Sequence, residues 1–153
     1  MNKRRLLKLA DVLDADAKNK KGIKFNLFLW GRVTDESDVV SCGTTACAAG
    51  LAAISGVFAK QGLSYRVRKD QMSDQFDLRI TLNGRCRNGP TYDGSFLNIK
   101  RFFGLSVTEA EFIFTPRPYN EAGLPTEGAK GERAVAKRIR KFVVGEVRPQ
   151  DGG

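Results

Sequence analysis

Two runs in the middle of the chain, LSYRVRKD and QFDLRITLN, alternate apolar and polar residues. A period of two is the mark of a half-buried strand and is incompatible with an amphipathic helix. Leu63, Tyr65 and Val67 fall on one side of the first run, and Phe76, Leu78, Ile80 and Leu82 on one side of the second. The connection KDQMSDQ is short enough to close an antiparallel hairpin. The opposite side would carry Arg66, Arg68, Asp77, Arg79 and Thr81, a solvated and mainly basic surface.

Around this hairpin the period changes to that of a helix. Leu6, Leu9, Ala10, Leu13 and Ala17 share one face of a helix over 3–17. Its charges run basic then acidic, against the helix dipole, so its ends must fray or lean on tertiary contacts. A basic connector, KNKKGIK, leads to FNLFLWGR, where Phe25, Phe28 or Leu29, and Trp30 are the expected core anchors. TDESDVV over 34–40 reads as an acidic loop, and 44–55 as a helix. A Gly-, Asn- and Pro-rich loop is expected over 84–95 and a short helix over 95–103, with Phe96, Ile99, Phe102 and Phe103 inward. SVTE at 106–109 is a capping box. It opens a helix carrying Ala110, Ile113 and Phe114, stopped by Pro116 and Pro118, and the stretch to about 128 reads as loop. A last helix over 130–144 would bury Ala134 or Val135, Ile139, Phe142 and Val143, with Arg133, Lys137, Arg138, Arg140 and Lys141 on its outer face. The expected class is α+β, a mainly helical single domain over 1–147 with a small antiparallel hairpin or sheet, and a flexible tail over 148–153.

Several function classes are disfavoured. There is no histidine, which removes Ser-His-Asp and Cys-His nucleophile systems and His-based zinc sites together. No apolar run reaches about 18 residues, and no secretory core follows the basic N-terminus, so a cytoplasmic protein without a membrane partner is expected. Three cysteines without a paired framework agree with a reducing compartment.

The stretch SCGTTACAAGLAAISG admits four readings. Cys42 beside a helix start could have its thiolate stabilised, but no histidine is present to accept a proton. With Cys42, Cys47 and Cys86 alone, a zinc site lacks its fourth Cys or His, so no metal and no cofactor are expected. The Gly-Thr-Thr run suggests an anion pocket but matches no nucleotide fingerprint. The remaining reading is a buried packing helix, in which Ala46, Ala49 or Gly50, and Ala53 form a small-residue stripe and Cys47 is a buried hydrophobe.

WG before a loop, CGTTACAAG, FFGLSVTEAEFIF followed by TPRPY, and the closing VAKRIRKFV occur in that order over roughly three quarters of the chain. In this arrangement, with Cys42, Gly43, Cys47 and Gly50 its most pattern-like positions, the chain resembles a family of small proteins of phages, prophages and bacteria with no established activity. The resemblance implies a mobile-element accessory protein and carries over no catalytic residue.

The 26 Lys and Arg against 17 Asp and Glu leave a net charge of +9, which favours an anionic partner. Candidate contacts are Arg66, Arg68, Arg79, Arg85 and Arg87 around the hairpin, and Arg133, Lys137, Arg138 and Lys141 on the last helix, with Tyr92 or Phe96 as a stacking surface. No recognition motif of the common nucleic-acid-binding folds is present. The leading expectation is a non-enzymatic, phage-type protein occupying an anionic site: nucleic acid, or a host nucleic-acid-binding protein that it inhibits as part of anti-defence. A general DNA- or RNA-binding accessory role in phage replication or gene control is the first alternative, and a cysteine-dependent enzyme or redox sensor centred on Cys42 the second.

Overall fold

The apolar stripe near the N-terminus forms α1 (Lys3–Lys18), with Leu6, Leu9, Ala10 and Leu13 buried. A computed structural model of the chain describes residues 1–19, 23–33, 44–69, 72–86 and 94–150. The basic first turn of α1 does lean on tertiary contacts. Asn2 caps it by accepting the Arg5 N–H, and its own N–H donates to the Phe103 carbonyl at 2.7 Å. The Arg5 guanidinium donates to the Phe102 carbonyl and lies 4.1 Å over the Phe102 ring. These bonds offset an unfavourable helix-dipole term of a few tenths of a kcal/mol to about 1 kcal/mol.

Five strands form one mixed sheet: β1 (Lys24–Phe25), β2 (Gly31–Val33), β3 (Thr45–Ala46), β4 (Leu63–Lys69) and β5 (Phe76–Leu82), in the order β1-β3-β2-β5-β4. The expected hairpin is β4–β5, antiparallel and paired from Leu63↔Leu82 to Lys69↔Phe76. Three strands of two or three residues extend it, with β1 parallel to β3 and the other pairs antiparallel. Segments that short show no readable period. After β5 the chain turns through Asn83 and Gly84, both at positive φ, and Leu82 and Arg85 exchange two backbone hydrogen bonds. This is the Asn-Gly hairpin turn, at the start of a stretch expected to be loop.

The helix expected over 44–55 is shorter. β3 lies between β1 and β2, so the backbone of Thr45 and Ala46 is taken by ladders on both sides. α2 (Ala48–Ile54) starts only after Cys47, whose Sγ accepts the Gly50 N–H at 3.4 Å as its cap. Every residue of α2 is buried, and a Cβ on Gly50 would collide with the Trp30 carbonyl oxygen. The small-residue stripe is therefore a packing surface that lets the backbone at Trp30, just before β2, approach α2 closely.

α3 (Gly94–Phe103) closes the part of the β5 edge that β2 does not reach. Ser95 Oγ accepts the Ile80 N–H, and Asn98 Nδ2 donates to the carbonyls of Ile80 and Arg85. α4 (Val107–Phe114) begins at the expected capping box of Ser106 and Glu109. The stretch expected as loop after Pro116 holds a short helix, α5 (Arg117–Glu121), because proline is tolerated in a first helical turn as readily as it ends a preceding helix. The rings of Phe58, Phe102, Phe103 and Phe114 meet at 5.0–5.9 Å in the core between these elements. Of the expected anchors, Phe25 is buried and Trp30 packs partly buried against Phe96, but Phe28 is exposed. Asn26 Oδ1 accepts the Phe28 N–H in a tight turn that throws this ring outward and leaves Leu27 in the core.

α6 (Gly128–Val144) runs antiparallel to α1. Arg140 bridges Asp14 at 2.7 Å and Asp11 at 3.0 Å, while at the other end Glu132 meets Asp16. Beyond α6, in the expected tail, Arg148 lays its guanidinium 5.3 Å over the Phe142 ring.

Burial, then the hydrogen bond with Asp16 and its charge, raises the Glu132 carboxyl to about 9, opposed by Arg133. The folded protein thus holds a proton there that the unfolded chain releases near pH 4.5, so stability falls as pH rises from about 4.5 to about 9. Glu132→Gln, which can still donate to Asp16, is expected to flatten that fall in urea titrations at pH 5, 7 and 9, with its largest gain at pH 9. Gly50→Ala is expected to lower stability by about 1–3 kcal/mol in the same assay, through overpacking against Trp30.

Candidate anion-binding surface

The sheet has two unlike faces. Phe25, Ala46, Leu63, Leu78 and Ile80 point into the core, and Gly31 leaves room for the Leu78 side chain. On the other face the register lines up Lys24, Thr45, Arg32, Asp77 and Arg68 in one row across all five strands. In the next row Arg66 stands directly opposite Arg79. Lys24, Arg32, Arg66 and Arg68 are exposed, while Arg79 and Asp77 are half-buried. Asp77 has an arginine partner on each neighbouring strand, Arg32 and Arg68, and is the one carboxylate among the described strand residues of this face. The Arg66 guanidinium donates to the Gly84 carbonyl at 2.8 Å, which braces it against the hairpin turn.

Arg66, Arg68 and Arg79 are therefore brought together, and Arg85 lies exposed just after the turn. Thr81, expected on the same solvated face, is buried. Arg87, Cys42 and Tyr92 lie outside the described residues, and Phe96 is buried and so offers no stacking surface. Lys24 and Arg32 belong to the face but were missed, because strands of two and three residues leave no alternation to read.

The α6 candidates divide. Arg133, Lys137 and Lys141 are exposed at four-residue spacing. Arg138 is buried, which corrects its expected outward position. Its guanidinium lies 3.7 Å over the Tyr119 ring and 4.6 Å over Phe112, and donates to the carbonyls of Phe112 and Pro118. With 116–128 read as loop, that side of α6 had no visible neighbour; α5 and the end of α4 cover it. Arg140, also expected outside, is held by Asp11 and Asp14.

The two sets of cations do not form one surface. α6 packs on β1 from the core side, where Gly131 meets Phe25, whereas Arg66 and Arg68 stand on β4 at the opposite edge. Four inter-strand steps of about 4.8 Å put roughly 19 Å between those edges. A second basic concavity lies between α1 and the turn at 57–61, lined by Arg4, Lys8, Leu7 and Val57.

Cys47 is buried. Burial pushes its thiol up to about 11, against the lowering effect of the backbone N–H groups at the start of α2. Among the described residues, no three His, Cys, Asp or Glu side chains gather to hold a metal ion, and no helix is long and apolar enough to cross a membrane.

No family model, curated protein or solved structure matches the chain.

Replacing Arg138 should act on stability rather than on binding. Arg138→Ala is expected to cost about 1.5–3 kcal/mol, since it leaves two carbonyls without their charged donor. In the same protein, affinity for a polyanion measured below the melting transition should stay within about twofold of wild type, an estimate that rests on Arg138 being withdrawn from solvent.

Proposed function

We propose that the chain is a non-enzymatic accessory protein of phage type that binds an anionic partner on the polar face of its sheet. The observation that carries this reading is the set of exposed cations that the register gathers on one face, Lys24, Arg32, Arg66 and Arg68, where Asp77 alone opposes them among the described strand residues. An anion drawn to this face would gain charge-assisted hydrogen bonds from its exposed guanidinium groups.

Occupying the anion-binding or anion-bearing site of another macromolecule needs complementarity of shape and charge and no reacting group. The motif resemblance to phage and prophage proteins supports a setting in which the partner belongs to a host nucleic-acid-processing or defence system. Nucleic acid itself is the alternative partner for the same face.

Fluorescence anisotropy with a labelled short duplex DNA, used as a polyanion probe across a salt series, tests which surface is used. Arg66→Glu with Arg79→Glu is expected to weaken binding at least tenfold at about 50 mM salt and to reduce the log–log salt slope by about 2. Lys137→Glu with Lys141→Glu should change binding by less than about threefold under the same conditions. A larger loss from the α6 pair would overturn the proposal. Submicromolar affinity persisting at about 150 mM salt would make nucleic acid the partner.

A further inference from the structure

β4 is the outer strand of the sheet, and the ladder shows which of its backbone groups are unused. Ile80 turns its N–H and C=O away from β4, to Ser95 and Asn98 on α3. Tyr65↔Ile80 is therefore a non-hydrogen-bonded pair, and the alternation of an antiparallel ladder makes Arg66↔Arg79 and Arg68↔Asp77 the bonded ones. The N–H and C=O groups of Tyr65, Val67 and Lys69 consequently point outward. The parity is visible at the start of the strand, where the Leu63 N–H reaches outward to the Phe58 carbonyl at 3.3 Å. Beyond that bond, the backbone of Tyr65, Val67 and Lys69 has no partner among the described residues.

An open edge is a template for another strand. We propose that this edge receives, in antiparallel pairing, a strand from a partner protein in which acidic and apolar residues alternate. Arg66 and Arg68 are exposed and two residues apart, so they would face carboxylates at alternate positions of the added strand. Tyr65 and Val67 are half-buried on the other face and would meet the apolar residues between them. Nucleic acid can answer the arginines but not the amide edge. A second copy is disfavoured by charge, because a two-fold axis through Val67 would set Arg66 of each copy against Arg68 of the other. The proposal rests on the reading that the Arg66 face meets an anionic partner, and it names that partner's chemistry.

The probe is a fluorescein-labelled peptide, Glu-Val-Glu-Tyr-Glu-Val-Glu. It is compared with a scrambled peptide of the same composition and with versions N-methylated either at the Val and Tyr amides or at the Glu amides. Antiparallel pairing points the Val and Tyr amides at β4, so methylating them is expected to weaken binding at least tenfold, while methylating the Glu amides changes it by less than about threefold. Val67→Pro removes an outward N–H without touching the β4–β5 ladder, a position where an edge strand tolerates proline. It is expected to keep the far-ultraviolet circular dichroism and the binding of duplex DNA, and to lose the peptide. Arg66→Glu with Arg68→Glu should lose both probes. If the methylated and scrambled peptides bind like the parent while the double arginine variant loses them all, charge alone holds the peptide and edge pairing is wrong, although the basic-face reading stands. If the double arginine variant keeps both probes, that reading fails first. A concentration-dependent dimer abolished by Val67→Pro would put a second copy on the edge and also overturn the proposal.

Discussion

The α2 backbone at Gly50 lies so close to the Trp30 carbonyl that a single Cβ would collide with it, and much of the architecture depends on this approach. No side chain fits there. Cys47 caps α2 and also reaches the Trp30 carbonyl through its thiol, so one residue holds the helix start to the end of the preceding turn. α2 packs on β3, β4 and β5 and so covers the apolar side of the sheet, with α1 packed on α2 in turn. The polar side of the sheet is what remains to face outward.

On that outward side Lys24, Arg32, Arg66 and Arg68 are exposed. Some cations of α1 and α6 are engaged within the fold, Arg5 with Phe102, Arg138 with Phe112 and Tyr119, and Arg140 with Asp11 and Asp14, while Arg133, Lys137 and Lys141 are exposed. The sheet face opposes Arg66 to Arg79 and, among the described strand residues, places one carboxylate, Asp77, between Arg32 and Arg68. On the proposed reading a partner supplies negative charge to this face, and the edge strand beside it supplies a second, directional means of recognition.

The parts of this design readable in the sequence are those with a long period or a short-range cap. Seven alternating residues on each arm disclosed β4 and β5, the leucine spacing disclosed α1, and Ser106 with Glu109 marked the start of α4. Two- and three-residue strands carry no period, so β1, β2 and β3 were invisible, and with them the contribution of Lys24 and Arg32 to the polar face. Thr45 and Ala46 look helical next to an alanine-rich run, and only the ladders on both sides draw them into the sheet. Arg138 was misplaced for a related reason: a residue's face is outward only relative to its neighbours, and α5 hid behind prolines read as stops. Asn83-Gly84 was a signal available in the sequence and passed over.

The polar face of the sheet is the proposed working surface. Backbone amide shifts of isotope-labelled protein, followed during titration with inorganic polyphosphate, test it most directly. Shifts concentrated at Lys24, Arg32, Arg66, Arg68 and Arg79 are the expected result. Shifts confined to Arg133, Lys137 and Lys141 on α6, or to Arg4 and Lys8 on α1, would contradict it.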